Sequence, residues 1–308
     1  MENNKEKIKI VTHSGNFHTD DVFATAVLTL LLKKRNEKYE VIRTRDSEII
    51  KTGDFVVDIG GEYDIDNNIF DHHQEGGAGE RENGIPYSSF GLVWKKFGEE
   101  LCGFAEARNI VDKRFGYPVD SADNGVNTFE QVTRDVFPYI IHNITSVYRP
   151  TWKEEKEVSR NHLSAFLEYL IVAENILKRE ITHAQDEVEG GKLVAAAYEK
   201  AKDKRIITIG GHYPWEDVLS NYPEPLYIVK PDHQNGGAWK VKAVRDVAVG
   251  FENRKDLPQE WAGKRGKELA EITGVSDAVF CHNKKFIVVA GSKDGALALA
   301  KLAVENKK

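Results

Sequence analysis

IKIVTHSGNFHTDDVFATAVLTLLLKK, residues Ile8 to Lys34, decides the fold of the first half of this chain. Ile8 to Thr12 reads as a strand, and the stretch from about Asp20 to Lys34 reads as an apolar helix. Between them, THSGNFHTDD (Thr12 to Asp21) sets His13, His18, Asp20 and Asp21 where a strand ends and a helix begins. In an open α/β sheet, ligands bind along that carboxyl edge of the strands. Gly15 permits a tight backbone path, and the amides at the helix start favour a nearby anion. Taken alone, the stretch reads about equally well as a capped helix, with Asp20 as the cap and the histidines as ordinary loop residues.

Working outward, strands follow at Tyr39 to Arg43 and at FVVDIGG, Phe55 to Gly61. Strands alternating with helices predict a parallel sheet with helices packed on it. YDIDNNIFDHH holds two short strand-like pieces around an Asn-Asn turn, and Ser88 to Phe97 is helical in pattern. Glu154 to Glu187 carries a stripe of Leu163, Phe166, Leu167, Leu170, Ile171, Ile176 and Leu177, which predicts one or two long helices. Gly190-Gly191 offers punctuation, after which RIITIGG, LYIVK, WKVKAV, AVFCH and KFIVVAG alternate with helical stretches near Lys264 to Thr273 and Asp294 to Glu305. The expected architecture is α/β: a mostly parallel sheet with flanking helices over residues 1–190, then a smaller mixed α/β domain over 191–308 that binds substrate. No internal repeat or low-complexity tract interrupts it.

A chain of 308 residues with 41% hydrophobic content fills two cores without staples. Its two cysteines, Cys102 and Cys281, are far apart, which excludes a disulfide framework and a thiolate zinc site and suggests a reducing compartment. The polar start, MENNKEKIKIV, has neither signal-peptide nor transit-peptide character, and the longest apolar run falls short of the roughly 20 residues of a membrane helix. The cytoplasm is the expected location, with the nucleus also open, and no membrane partner is expected. A net charge of −6 argues against a basic coat for duplex DNA, but not against an enzyme that holds one nucleic-acid end. Trp152, Trp215, Trp239 and Trp261 are expected in the core or an interface rather than as base-stacking platforms.

Histidine and aspartate recur at element ends. Asp58 closes the apolar run Phe55, Val56, Val57, where a buried charge must pair or bind a metal, although a surface turn explains it too. Asp71-His72-His73 ends another short strand, and SADNG supplies Asp123, which alone reads as a turn or a cap. Together, these cysteine-free clusters suit two cations such as Mn²⁺ or Mg²⁺, with Co²⁺ or Zn²⁺ as substitutes. Such a pair activates a water for in-line attack on phosphorus without a covalent nucleophile.

The triplet Asp71-His72-His73, the leading histidine and aspartate motif, the strand-end aspartate and the later aspartate resemble the DHH phosphoesterase superfamily. More closely, the chain resembles its MYG1 branch. The matching segments run in order: THSGNFHTDD, VVDIGGEYD, FDHHQ, SADNG, RPTW, LPQEWAGKRGKEL and FCHNKKFIVVAGSKDGALALAKLA. The resemblance implies His13, His18, Asp20, His72 and Asp123 as metal ligands and Asp58 as the bridging carboxylate. It also implies His73 facing the scissile phosphate and Asp71 orienting the imidazoles. The common superfamily pattern has an aspartate where His18 stands and one fewer residue before it, a variation that MYG1-like sequences share.

The resemblance further implies 3′ to 5′ exonuclease activity on RNA, with single-stranded RNA or short nucleic-acid ends as partners. A hydrolase of small phosphorylated molecules such as oligonucleotides, cyclic dinucleotides or pyrophosphate is the alternative, and a non-catalytic metal-stabilised binding protein is a third reading. On the substrate side, GSKDG (Gly291 to Gly295) with Lys293 at a helix start reads as a phosphate or carboxylate site, or equally as an ordinary capped loop. His282 is a candidate by analogy with the domains that accompany DHH domains, and Arg265 is a candidate phosphate contact. The sequence leaves the oligomeric state open.

Overall fold

The structure, a computed structural model, describes residues 6–234, 236–247 and 252–306. The polar lead Met1 to Lys5 and the terminal Lys307-Lys308 lie outside them. The molecule is α/β and divides into two compact units, Met1–Gln185 and Asp186–Lys308.

In chain order, the first unit contains β1 (Ile8–Thr12), α1 (Thr19–Lys34), β2 (Tyr39–Arg43), α2 (Ser47–Ile50) and β3 (Phe55–Val57). The hairpin β4 (Tyr63–Asp64) and β5 (Ile69–Phe70) follows, then α3 (Ser89–Cys102) and α4 (Ala105–Val111). A π-helical turn (Asp112–Gly116) leads into α5 (Tyr117–Asp123), with α6 (Ile141–Tyr148) and α7 (Trp152–Lys156) beyond. The sheet order is β2-β1-β3-β5-β4. All neighbours are parallel except the edge strand β4, so β1, β3 and β5 end side by side at one edge. Ile10, Val11, Val56, Val57 and Phe70 are buried, as strands covered on both faces require.

Helix α1 is apolar almost all round and is buried from Thr19 to Leu32, so it forms the centre of the unit. Its internal hydroxyls are satisfied locally: Thr25 donates to the Asp21 carbonyl at 2.7 Å, and Thr29 to the Glu174 carboxylate at 2.8 Å. A buried network pins α5. Arg81 bonds Asp120 and Asp112 at 2.8 Å each, and Asp120 also accepts from Ser88 Oγ at 2.6 Å. Gly91 is required there, because a Cβ would stand 2.1 Å from the Asp120 carboxylate.

The long helix expected from Glu154 resolves into α7 and α8 (His162–Lys200). Gly190-Gly191 does not break α8, contrary to the punctuation expected there. The two glycines serve close packing: a Cβ on Gly190 would lie 2.6 Å from Pro214, and one on Gly191 would touch Val218 at 3.4 Å. The predicted stripe splits. Phe166, Leu170 and Leu177 point inward, whereas Leu163, Leu167 and Ile171 are exposed.

In the second unit, β6 (Ile206–Thr208), α9 (Glu216–Ser220), β7 (Tyr227–Pro231), β8 (Trp239–Ala243), α10 (Gly266–Thr273), β9 (Ala278–Cys281), β10 (Ile287–Ala290) and α11 (Lys293–Glu305) form a mixed sheet of order β6-β7-β8-β10-β9 with helices. Its core gathers Val229, Val241, Val288 and Leu299 under α11. Trp215 and Trp261 are buried as expected and Trp239 is partly buried, but Trp152 is 69% exposed on short α7, which has no apolar layer to insert it into. Among the described residues, no helix is long and apolar enough to cross a membrane.

Candidate active site

Three adjacent parallel strands deliver the site. His13 follows β1, Asp58 follows β3 and Asp71-His72-His73 follows β5, so the register of the sheet aligns all three groups at one edge. Asp20 enters from the first turn of α1 and Asp123 from the last residue of α5. Asp58 adopts a left-handed conformation with φ 56°, followed by Gly60 at φ 114° and Gly61 at φ 77°. This sharp reversal carries the Gly61 amide onto Asp71 Oδ2 at 2.7 Å.

The two oxygens of Asp58 face different imidazoles. Oδ2 lies 3.2 Å from His13 Nε2, and Oδ1 lies 3.3 Å from His72 Nε2. His72 Nε2 also lies 3.3 Å from Asp123 Oδ2 and 3.8 Å from Asp20 Oδ2. His18 is exposed, its ring 5.6 Å from that of His13, and it groups with Asp20 and Asp123 at metal-binding spacing. His73 stands 60% exposed at the rim, its Nδ1 held by Asp71 Oδ1 at 2.8 Å, and the Asp71 carboxylate also accepts the His72 and His73 amides. A recess of about 310 Å³ opens here, lined by His13, His18, Arg45, Asp58, Asp71 and His73 among others.

The fit to divalent cations rests on buried polar atoms that find no well-formed hydrogen bond, His13 and His72 having only carboxylate oxygens at 3.2 and 3.3 Å beside them. Both oxygens of Asp20, Asp21 Oδ2, His13 Nε2 and His72 Nε2 are buried without a hydrogen-bond partner. Buried polar groups are otherwise paired, and an all-oxygen-and-imidazole donor set suits hard to borderline cations. Asp58 belongs to two of the three ligand groups, one with His13 and His18 and one with His72 and His73.

The electrostatics agree. Burial, together with the neighbouring Asp58, Asp123 and Asp21 carboxylates, holds Asp20 well above the usual carboxylate range. Burial likewise raises Asp123. Burial alone would lower His13, but Asp21 and Asp58 drive it up to about 10; burial also works against Asp58, but His13 and His72 hold it well below its ordinary value.

Sequence reasoning placed Asp21 in the cluster without giving it a role, and it missed Ser89, Arg45 and His142. Asp21 Oδ2 lies 3.2 Å from His13 Nε2 while Oδ1 accepts the His18 amide at 2.8 Å, and the capping-box spacing from residue 18 to residue 21 was its signal. Ser89 donates to Asp58 at 3.1 Å, and Arg45 lies 3.4 Å from His13 Nδ1. His142, in the first turn of α6, has both ring nitrogens buried and unpaired, and burial with nearby His18 and Arg149 lowers it to about 4. Nothing in the pattern around these last three marks them.

In the second unit, Arg265 lies 4.4 Å over the Phe280 ring, and His282 packs 6.2 Å from Phe280 and 4.6 Å from Phe286. Lys293 lies 5.4 Å over the Trp239 ring. At the start of α11, Ser292 Oγ accepts from the Gly295 amide and bonds the Asp277 carboxylate at 2.5 Å. The cap that the capped-loop reading expects is present at Ser292.

A profile of the MYG1 exonuclease group, described as Uncharacterised protein family (UPF0160), matches residues 9–304. The chain belongs to the MYG1 family. Similar members include the MYG1 protein of Schizosaccharomyces pombe, 28% identical over 97% of this chain and 98% of the relative. The MYG1 exonuclease of Homo sapiens is also 28% identical, over 97% of this chain and 86% of the relative. Among solved structures, an exopolyphosphatase-related protein from Bacteroides fragilis aligns over 97% of this MYG1-family chain and 92% of its own, at 13% identity and a TM-score of 0.25, a likeness too slight to bear on mechanism.

Proposed function

We propose that this MYG1-family chain is a metal-dependent phosphoesterase, and that it acts as a 3′ to 5′ exonuclease on RNA through two divalent cations, Mn²⁺ first among them. The observation that carries the reading is Asp58, whose two oxygens face two separate imidazoles inside a cluster of unsatisfied carboxylates. Relatives named exonucleases support a nucleic-acid substrate, and RNA is the choice made within that class.

His13, His18, Asp20, Asp58, His72 and Asp123 would hold the cations, with Asp58 shared between them. When bound, such cations supply Lewis-acid polarisation of a phosphoryl oxygen and acidify a water. His73 and Asp71 do the remaining work. With Nδ1 fixed on Asp71, His73 offers Nε2 to the substrate, where a protonated ring donates to a phosphoryl or leaving oxygen. Arg45, on the wall of the same recess, adds positive charge for an anionic substrate.

The test is hydrolysis of 5′-labelled single-stranded RNA by Mn²⁺-loaded protein, with the Asp58→Asn variant alongside. A stepwise ladder that disappears in the variant supports the exonuclease reading. Bound metal without RNA cleavage redirects it to small phosphoesters, which a recess of about 310 Å³ also admits.

A further inference from the structure

We propose that a second cavity of the N-terminal unit is a nucleobase subsite, which receives the base of the nucleotide whose phosphate lies at the histidine and aspartate cluster. The choice of ligand rests on the phosphoesterase reading above. The cavity, about 460 Å³, lies between the π-helical turn with α5, the segment 125–129 and the start of α6. That volume falls within the roughly 300–1,000 Å³ of small-ligand sites.

Its lining includes neighbours of the cluster. Ala122 and Gly125 line the cavity and bracket Asp123, and His142, which also lines it, lies near His18. Its walls suit a flat heteroaromatic ring. Phe115, carried on the π-helical turn, and Phe129 contribute aromatic surface, and Ile140 and Ile141 add aliphatic surface. π-Helical turns inside helices are frequent at functional sites. Phe129 remains 47% exposed, so its ring offers surface that the fold itself does not use.

The polar groups are few and suited to a base edge. The imidazole of His142 has both nitrogens buried and unpaired, and in its neutral form these present one donor and one acceptor. Asn127 and Thr128 add a side-chain amide and a hydroxyl on the same wall. Stacking between aromatic rings with a few edge hydrogen bonds is how single-stranded nucleic acid is held, and it tolerates sequence variation because every base has a π-face.

The experiment compares binding of adenosine 5′-monophosphate and ribose 5-phosphate to the full chain in Mn²⁺ by calorimetry, for the wild type, Phe129→Ala and Phe129→Trp. The nucleotide is expected to bind roughly five- to a hundredfold more tightly than the sugar phosphate. Phe129→Ala should remove that preference, and Phe129→Trp should keep it. Circular dichroism and bound Mn²⁺ equal to wild type show that each variant is folded. Equal affinity of the two ligands, no binding of either, or a preference that survives Phe129→Ala overturns the proposal. Phosphodiester cleavage is scored separately. A base preference without cleavage leaves the subsite standing and removes the exonuclease reading; cleavage without a preference does the reverse.

Discussion

At φ 56° Asp58 occupies a conformation that asparagine tolerates and alanine resists, so the two substitutions ask different questions. Asp58→Asn keeps the backbone path and removes the charge. It should bind less than half the Mn²⁺ of the wild type by elemental analysis and lose activity by orders of magnitude, and full metal content would sink the shared-carboxylate role. His73→Asn should keep its metal, since the ring is 60% exposed and tethered to Asp71, while activity falls about a hundredfold or more. Loss of metal there would exchange the roles of His72 and His73. The thiols of Cys102 and Cys281 are fully buried, and burial pushes each up to about 12, so both should resist alkylation until the protein unfolds. The strand-end positions of His13, Asp58 and Asp71 were legible because each follows an apolar run. Arg45 and His142 were not, because only tertiary folding brings them near the cluster.

Among the elements, α5 is held in place by a buried ion network. The Arg81 guanidinium, 4.3 Å from the Tyr117 ring and 4.8 Å from Tyr87, neutralises Asp120, which burial nevertheless raises to about 6. Arg81→Met would leave Asp120 buried and unpaired. The expected loss is about 3–5 kcal/mol in chemical denaturation, with weaker Mn²⁺ binding because α5 carries Asp123. A loss under about 1 kcal/mol would show that the network is dispensable. Nothing local announces this network, since Arg81 lies in a glycine-rich loop 39 residues before its partner. The parallel strands and α1 were readable from their apolar runs, and the β4–β5 hairpin from its Asn-Asn turn. Gly190-Gly191 misled for a physical reason: a glycine pair marks either a chain break or close packing, and the sequence does not say which.

For the molecule as a whole, the cluster makes stability depend jointly on metal and pH. Protonated His13 contributes stability that is present below its ordinary 6.5 and is lost as pH rises through about 10. Asp20, raised in the folded state, acts in the same direction, favouring the fold only while protonated and losing that contribution as pH rises above the ordinary carboxylate value. Asp58, lowered, contributes above its ordinary 3.8 and is lost only in acid. Metal-free protein should therefore melt at progressively lower temperature from about pH 5 to about pH 9. Saturating Mn²⁺ should reverse the trend, because the ligands bind it deprotonated, with about 2.7 kcal/mol gained at a hundredfold excess over Kd. Thermal melts with chelator or Mn²⁺ across that range check it, and melts indifferent to Mn²⁺ at high pH would count against the site. The division at Gln185 and Asp186 falls inside α8, a helix of 39 residues, so the chain offers no exposed strap there for an enzyme to nick. Residues 124–140, irregular and largely exposed, are the softer target. A protease given a brief contact with the native protein should cut near Phe137 or Tyr139, leaving fragments that stay associated, rather than release two domains.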